Sequence, residues 1–247
     1  ITKISTLAWG LGYFGMPHIL LRFMAIEDDN KLSLSRRIAS IWVVISLAIA
    51  IFIGTVGLAM TNVGAVEHLE GSASETIIVR ISALLSTKGV VPALIAGVII
   101  AGILASTMST ADSQLIAASS AVSKNLFSVA KIKTDPKKTV LTARATLLVI
   151  AIIAAFLARN PDSSVFGIVS FAWAGFGAAF GPVVLFALFW RRSNRYGAIA
   201  GMISGGAMVF IWKYLVRPLG GVWDIYELLP AFIVSCLAII IFSIITP

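Results

Sequence analysis

Cysteine is almost missing from this chain: Cys236 is the single thiol in 247 residues. An intrachain disulfide is therefore excluded, and so is a zinc or iron–sulfur site built on several thiolates. Charge is scarce too. Only 12% of residues are Asp, Glu, Lys or Arg, against about 25% in soluble domains. Hydrophobic residues make up 59% of the chain, and mean hydropathy is +0.99. These figures exclude a soluble globular domain and imply an all-α polytopic membrane protein. No metal-ligand cluster, nucleotide loop or nucleophile–base pair stands out. The glycine-rich GFGAAFG at 175–181 lacks the strand-turn-helix setting that a dinucleotide site needs.

The net charge of +8 could suggest nucleic acid, but its distribution argues for a membrane instead. Most of the 19 basic residues fall in three stretches. These are Arg22, Lys31, Arg36 and Arg37; Lys124, Lys131, Lys133, Lys137, Lys138 and Arg144; and Arg191, Arg192 and Arg195. They alternate with acidic or nearly uncharged connections, as the positive-inside rule requires of cytoplasmic loops. Seven apolar spans are expected, at 4–24, 38–60, 92–122, 140–158, 165–190, 196–216 and 225–246. Placing the basic loops inside leaves 61–91, 159–164 and 217–224 outside, with residue 1 outside and the C-terminus cytoplasmic. The chain starts inside a span without an initiator Met, so a fragment of a longer protein is expected.

The connection at 61–91 carries Glu67, Glu70 and Glu75 and is too long for a simple turn. Its ETIIVRISALL stretch, Glu75 to Leu85, is apolar enough for a half-buried helix. The third span exceeds the bilayer and must tilt or project from it. In the sixth span, Gly197, Gly201 and Gly205 recur every fourth residue, a spacing that lets another helix approach closely. Gly175, Gly177 and Gly181 with Pro182 allow either a bend at a moving gate or tight packing.

Two segments break the pattern in ways that carry chemistry. The first span reads LAWGLGYFGMPH, with Gly10, Gly12, Gly15 and Pro17 interrupting a hydrophobic run. Gly costs about 1 kcal/mol and Pro about 3 in a helix interior. In a membrane such breaks persist only where the backbone is covered or lines a cavity, and in transporters they mark the binding site. Trp9, Tyr13 and Pro17 step along this element at four-residue intervals, an aromatic wall suited to a small amphipathic solute. Alternatively, Trp9 is an interfacial anchor and Tyr13 ordinary packing. His18, one turn before Arg22, reads as a structural or interfacial residue, with a proton relay as the alternative. The second segment is AGILASTMSTADSQ, Ala101 to Gln114. Ser106, Ser109, Thr110 and Ser113 share one helical face there, with Asp112 beside it. A polar stripe at bilayer depth marks an ion or substrate path, and oxygen ligands suit a hard cation such as Na⁺. Back-bonding to the helix or helix–helix glue is the alternative for single hydroxyls.

AWGLGYFGMPHILLRFMA, AGILASTMSTADSQL and SFAWAGFGAAFGPVVLFALFWRRSNRYGAIAGM, in this order, resemble the sodium/solute symporter family, most closely its proline-carrying branch. The resemblance implies a leucine-transporter-like fold of two inverted five-helix repeats. Residues 1–190, including the extracellular loop 61–91, would be the second repeat, and 191–247 two additional C-terminal helices. The first repeat, the N-terminal half, is then missing. The family's sodium site maps to Ser109 and Thr110 with a backbone carbonyl near Ser106. That branch has Ala at the last position, a change a backbone ligand tolerates. Asp112 and Ser113 correspond to a second sodium site in some members, and Asp112 could equally cap or pair with a cation. Trp9, Tyr13 and Pro17 are the substrate positions. Met16 stands where the branch has Gln and cannot donate the amide's hydrogen bond. Phe171 and Trp173 fall in the outer-gate region. The implied activity is Na⁺-coupled symport of a small solute, L-proline foremost, into the cell across the cell membrane. It involves no enzymatic step and no nucleic acid. Another solute (pantothenate, a sugar, a carboxylate, another osmolyte) or a symporter-like sensor domain of a histidine kinase are the rival readings.

Overall fold

Residues 2–24, expected as one span, do not form one helix. A computed structural model describes residues 2–122, 136–159 and 164–246, and in it this segment is α1 (Thr2–Ala8), a 3₁₀ stretch (Trp9–Gly15) and α2 (Pro17–Met24). The break has a local cause. Pro17 restricts the residue before it to extended backbone, and Met16 adopts φ −84°, ψ 110°. Pro17 itself sits at the first helical position, where its missing N–H costs nothing. The Met16 carbonyl then accepts from the amides of Ile19 (3.1 Å) and Leu20 (3.0 Å), which starts α2.

The rest of the chain is helical in long runs: α3 (Leu32–Asn62), α4 (Ile77–Ser86), α5 (Val90–Ser120), α6 (Pro136–Leu157), α7 (Val165–Phe189), α8 (Arg195–Ile211) and α9 (Leu228–Ile245). Among the described residues, six helical segments are long and apolar enough to cross a membrane: Asp29–Asn62, Val90–Ser120, Thr139–Leu157, Val165–Phe189, Arg195–Leu219 and Leu228–Ile245. The fold is thus an all-α polytopic membrane protein, with six continuous spans where seven were expected. The missing one is the broken segment. Lys124 to Lys133 of the second basic stretch, and residues 160–163 of the connection at 159–164, lie outside the described residues.

The chain divides into two compact units, residues 1–32 with 166–247, and residues 33–165. In the second unit, α5 runs 31 residues, about 46 Å at 1.5 Å per residue against about 30 Å of hydrocarbon. It continues well past a bilayer's apolar layer. α4 and α6 both pack against α5. α4 occupies the stretch expected to hold a half-buried helix and is preceded by a 3₁₀ turn, Gly71–Thr76. Gly57 of α3 gives it room, because a Cβ there would collide with Ile77. Glu75 ties this region to the start of α7: Ser164 Oγ donates to one carboxylate oxygen at 2.6 Å and the Val165 amide to the other at 3.0 Å.

The first unit holds a core of Ala8, Ala174, Ala178, Val209, Tyr226, Leu228, Ala231 and Phe232. Small residues dominate because the helices meet backbone to backbone. Along α8, a Cβ on Gly197 would strike Ser243, one on Gly201 would strike Ile239, and one on Gly205 would strike the Ala178 carbonyl. The four-residue glycine repeat therefore serves packing against α9 and α7. Ser235 of α9, fully buried, donates to the Gly201 carbonyl at 2.9 Å. Pro182 lies inside α7 without ending it. It cannot donate to the Ala178 carbonyl four residues back, and that carbonyl is the one facing Gly205.

Asn194 closes the far end of the α8–α9 pair. Its Oδ1 accepts from the Gly197 amide at 2.9 Å as the cap of α8. Its Nδ2 donates to the Thr246 carbonyl at 3.0 Å and to Thr246 Oγ1 at 2.9 Å. Between α8 and α9, the helix widens into a π turn, Trp212–Val216, followed by 3₁₀ turns at Arg217–Leu219 and Gly221–Trp223.

Candidate functional site

In the first unit the broken segment and α7 interlock through glycines. A Cβ on Gly15 would lie 2.8 Å from Gly177 Cα and 2.9 Å from the Gly181 amide nitrogen. A Cβ on Gly177 would lie 2.7 Å from Gly12 Cα, and one on Gly181 2.8 Å from a Phe232 ring carbon. Gly177 and Gly181 are thus tight packing positions. Gly175 differs, since a Cβ there would meet nothing within 4 Å.

Close backbone approach brings the aromatic residues of both elements into one cluster. The Trp9 ring stacks at 5.4 Å on Phe166, 5.5 Å on Trp173 and 5.7 Å on Tyr226. Tyr13 meets the edge of Trp173 at 4.9 Å and 85°. Trp173 Nε1 donates to the Trp9 carbonyl at 3.0 Å. Tyr226 is held at both ends: its hydroxyl donates to the Ser170 carbonyl at 2.6 Å, and its amide donates to Ser5 Oγ at 3.0 Å. Burial, reinforced by the neighbouring Glu227 carboxylate, holds the Tyr226 phenol well above its ordinary value, so it stays a neutral donor. Trp9 is therefore the centre of a four-ring stack and not a lone interfacial anchor. Tyr13 keeps about half of its surface exposed, and Pro17 is exposed at the start of α2, whereas Met16 is buried.

Trp173 and Phe171 fall on different sides of α7. Trp173 packs on Gly12. Phe171 meets Phe210 at 5.2 Å and Tyr214 at 6.1 Å, both edge to face. It also lines an open cleft of about 310 Å³ between α7 and α8 with Gly175, Phe176, Phe180, Gly206 and Phe210. Lys213 Nζ sits 3.9 Å over the Phe171 ring and 4.0 Å from Glu227 Oε1. Glu227 is only 1% exposed. Arg217 completes its pairing, with Nη1 3.0 Å from Glu227 Oε2 and Nε 2.8 Å from Asp224 Oδ1. Tyr226 and this charge cluster were not anticipated from sequence. The signal available was the pair Lys213 and Arg217, four residues apart at the end of an apolar run, facing acids on the other side of a short connection.

The hydroxyl stripe belongs to the other unit. Ser106, Ser109, Thr110, Asp112 and Ser113 all lie on α5, which is continuous through them, and all are exposed. Thr110 Oγ1 donates to the Ser106 carbonyl at 3.1 Å, and Ser113 Oγ to the Ser109 carbonyl at 2.9 Å. Back-bonding uses the hydroxyl proton and leaves the oxygen's lone pairs for a cation, so it is compatible with a metal-ligand role. Asp112 makes no salt bridge among the described residues. No group of three or more His, Cys, Asp or Glu suited to a metal occurs among them either. The structure thus joins Trp9, Tyr13 and Trp173 in one cluster, places Phe171 at a neighbouring cleft, and sets the five α5 residues along one helix.

The sodium:solute symporter family model matches residues 1–205. The sodium/proline symporter of Salmonella typhimurium (strain LT2) is 43% identical over 245 residues, 98% of this chain and 47% of that protein. The osmoregulated proline transporter OpuE of Bacillus subtilis (strain 168) is 42% identical over 247 residues, 100% of this chain and 48% of that protein. The sodium/proline symporter of Escherichia coli (strain K12) is 41% identical over 249 residues, 98% of this chain and 47% of that protein. The chain spans about half the length of these relatives. No solved structure matches it.

Proposed function

Because the chain belongs to the sodium:solute symporter family, we propose that it forms part of a secondary active transporter that couples Na⁺ entry to uptake of L-proline. The observation that carries this reading is the 41–43% identity, over nearly the whole chain, to relatives named for sodium-coupled proline transport. The site chemistry supports it. Trp9 and Tyr13 offer an apolar aromatic surface against which a pyrrolidine ring can pack, next to the backbone break at Met16–Pro17. Thr110, Ser109 and the Ser106 carbonyl supply oxygens to Na⁺, with Asp112 and Ser113 as a second cation position. Phe171 and Trp173 bound the solute's route. Residues 1–190 act as one repeat of the transport core and 191–247 as two additional helices, and the half absent from this chain completes the cation site.

Coupling follows from linkage: if Na⁺ raises affinity for the solute, the solute raises affinity for Na⁺ by the same factor. The membrane potential adds about 2.3 kcal/mol per charge per 100 mV to inward Na⁺ movement. No bond is made or broken. The positive-inside rule applied to the basic loops favours a cytoplasmic C-terminus and residue 1 outside the cell membrane.

The test is uptake of labelled proline by proteoliposomes containing the full-length transporter, with and without an inward Na⁺ gradient. Gradient-dependent uptake that collapses in Thr110→Ala supports both solute and cation site. Gradient-driven uptake of a different solute retains the coupling and rejects proline. Absence of gradient-driven uptake for any small solute rejects the proposal.

A further inference from the structure

We propose that Lys213 and Glu227 are positioning residues that hold Phe171 in the lining of the α7–α8 cleft and thereby set the transporter's apparent affinity for its solute. The proposal rests on the transport reading above. Three observations carry it. Phe171 is the first α7 residue to line the cleft, and it meets Phe210 of α8 and Tyr214 of the π turn edge to face. Lys213 Nζ stands 3.9 Å over the same ring, inside the range where a cation is attracted to an aromatic face. Glu227, buried to 1% exposure, lies 4.0 Å from that ammonium.

Each contact supports the next. A lysine carries four rotatable carbons, and a surface lysine would sample many positions. Here the carboxylate restricts it, and the carboxylate is itself fixed by Arg217 at 3.0 Å. Burial makes that acid costly unless paired, so its geometry is tightly set. The ring is thus held by aromatic edges from α8 and the π turn and by a cation that Glu227 attracts. At about 310 Å³ the cleft is at the small end of ligand-sized cavities. Glycines at 175 and 206 leave its walls open, since neither would have a Cβ neighbour within 4 Å. A freed Phe171 ring would therefore widen the cleft it lines.

The experiment uses the full-length transporter in proteoliposomes. Lys213→Met should raise the solute KM about fivefold with kcat within about twofold, and Lys213→Arg should restore both. In a Phe171→Leu background Lys213→Met should add nothing further. Equal losses in both backgrounds, or a loss that Arg does not restore, would show a merely structural lysine and overturn the proposal. A second readout needs no solute. With Cys236→Ser and Gly206→Cys in place, labelling by a water-soluble maleimide should rise about threefold on adding Lys213→Met or Lys213→Gln and stay at the parent rate with Lys213→Arg. Unchanged labelling in both Met and Gln variants overturns the positioning role. If gradient-driven uptake of every small solute is absent in the wild type while labelling follows the stated pattern, the transport reading fails and the positioning of Phe171 stands.

Discussion

Trp173 and Trp9 are joined twice, by a hydrogen bond from the indole Nε1 to the Trp9 carbonyl at 3.0 Å and by stacking of the rings at 5.5 Å. The bond fixes a carbonyl in the 3₁₀ stretch whose neighbours Gly10 and Gly12 give it little support of their own. The stack aligns Trp9 over the surface we assign to the solute. Replacing Trp173 by Phe keeps an aromatic face and removes the donor. The expected outcome is a loss of about 1 kcal/mol, read as a roughly fivefold higher solute KM in an uptake assay, with kcat close to wild type.

Gly15 of the 3₁₀ stretch and Gly175 of α7 should respond oppositely to the same substitution. A methyl on Gly15 collides with the Phe176 carbonyl and crowds Gly177 and Gly181, none of which can yield without moving backbone. Gly15→Ala should cost about 3 kcal/mol, the upper end for overpacking, and sharply reduce the folded yield. Gly175→Ala adds its methyl to open space, improves helix propensity, and should leave yield and melting temperature intact. Fluorescence size-exclusion profiles of the two variants in detergent check this directly.

On α5 the proposed cation ligands can be separated by what each side chain offers. Thr110→Ala removes an oxygen and should raise the Na⁺ concentration for half-maximal uptake about tenfold or more, a loss of about 1.4 kcal/mol or above. Thr110→Ser keeps the oxygen and should remain near wild type. Ser106 is assigned a role through its carbonyl, so Ser106→Ala should shift the Na⁺ requirement less than about threefold. Sodium titrations at fixed solute distinguish the three variants, and equal effects from Ser106→Ala and Thr110→Ala would contradict the assignment.

Asn194 caps α8 and reaches the end of α9 with the other half of its amide. Asn194→Ala loses the cap and the bridge together. The cap alone is worth about 1 kcal/mol, and each lost hydrogen bond about the same again. Asn194→Asp keeps the cap oxygen and loses the donors, so it should recover about half of the lost stability. Thermal unfolding followed by intrinsic fluorescence gives the order wild type, Asp, Ala.

Long helices were legible from sequence because each needs only a run of apolar residues, and the ranges of α5, α7 and α9 fall close to expectation. The break at 9–17 was legible for a different reason: three glycines and a proline oppose a helix locally, whatever surrounds them. The packing role of Gly197, Gly201 and Gly205 followed from their spacing. What could not be read was which distant side chains meet. Tyr226 looks like an ordinary residue at the start of a span, and its place in the Trp9 stack depends on how α9 enters against α1 and α7. For Gly175, Gly177 and Gly181 the sequence left bend and packing equally open. Two of them proved to be contact points, and one faces a cleft, a distinction of helix face that depends on the neighbours.

Lys213, Arg217, Asp224 and Glu227 form a set of two cations and two anions, with the buried Glu227 carboxylate held by the two basic side chains and Asp224 held by Arg217. Glu227 is the buried member of the four at 1% exposure, while Asp224 is 59% exposed. Losing either cation alone leaves the buried carboxylate a basic partner, whereas losing both leaves it an unmatched charge. The arrangement is therefore redundant: it tolerates the loss of one cation and not of two.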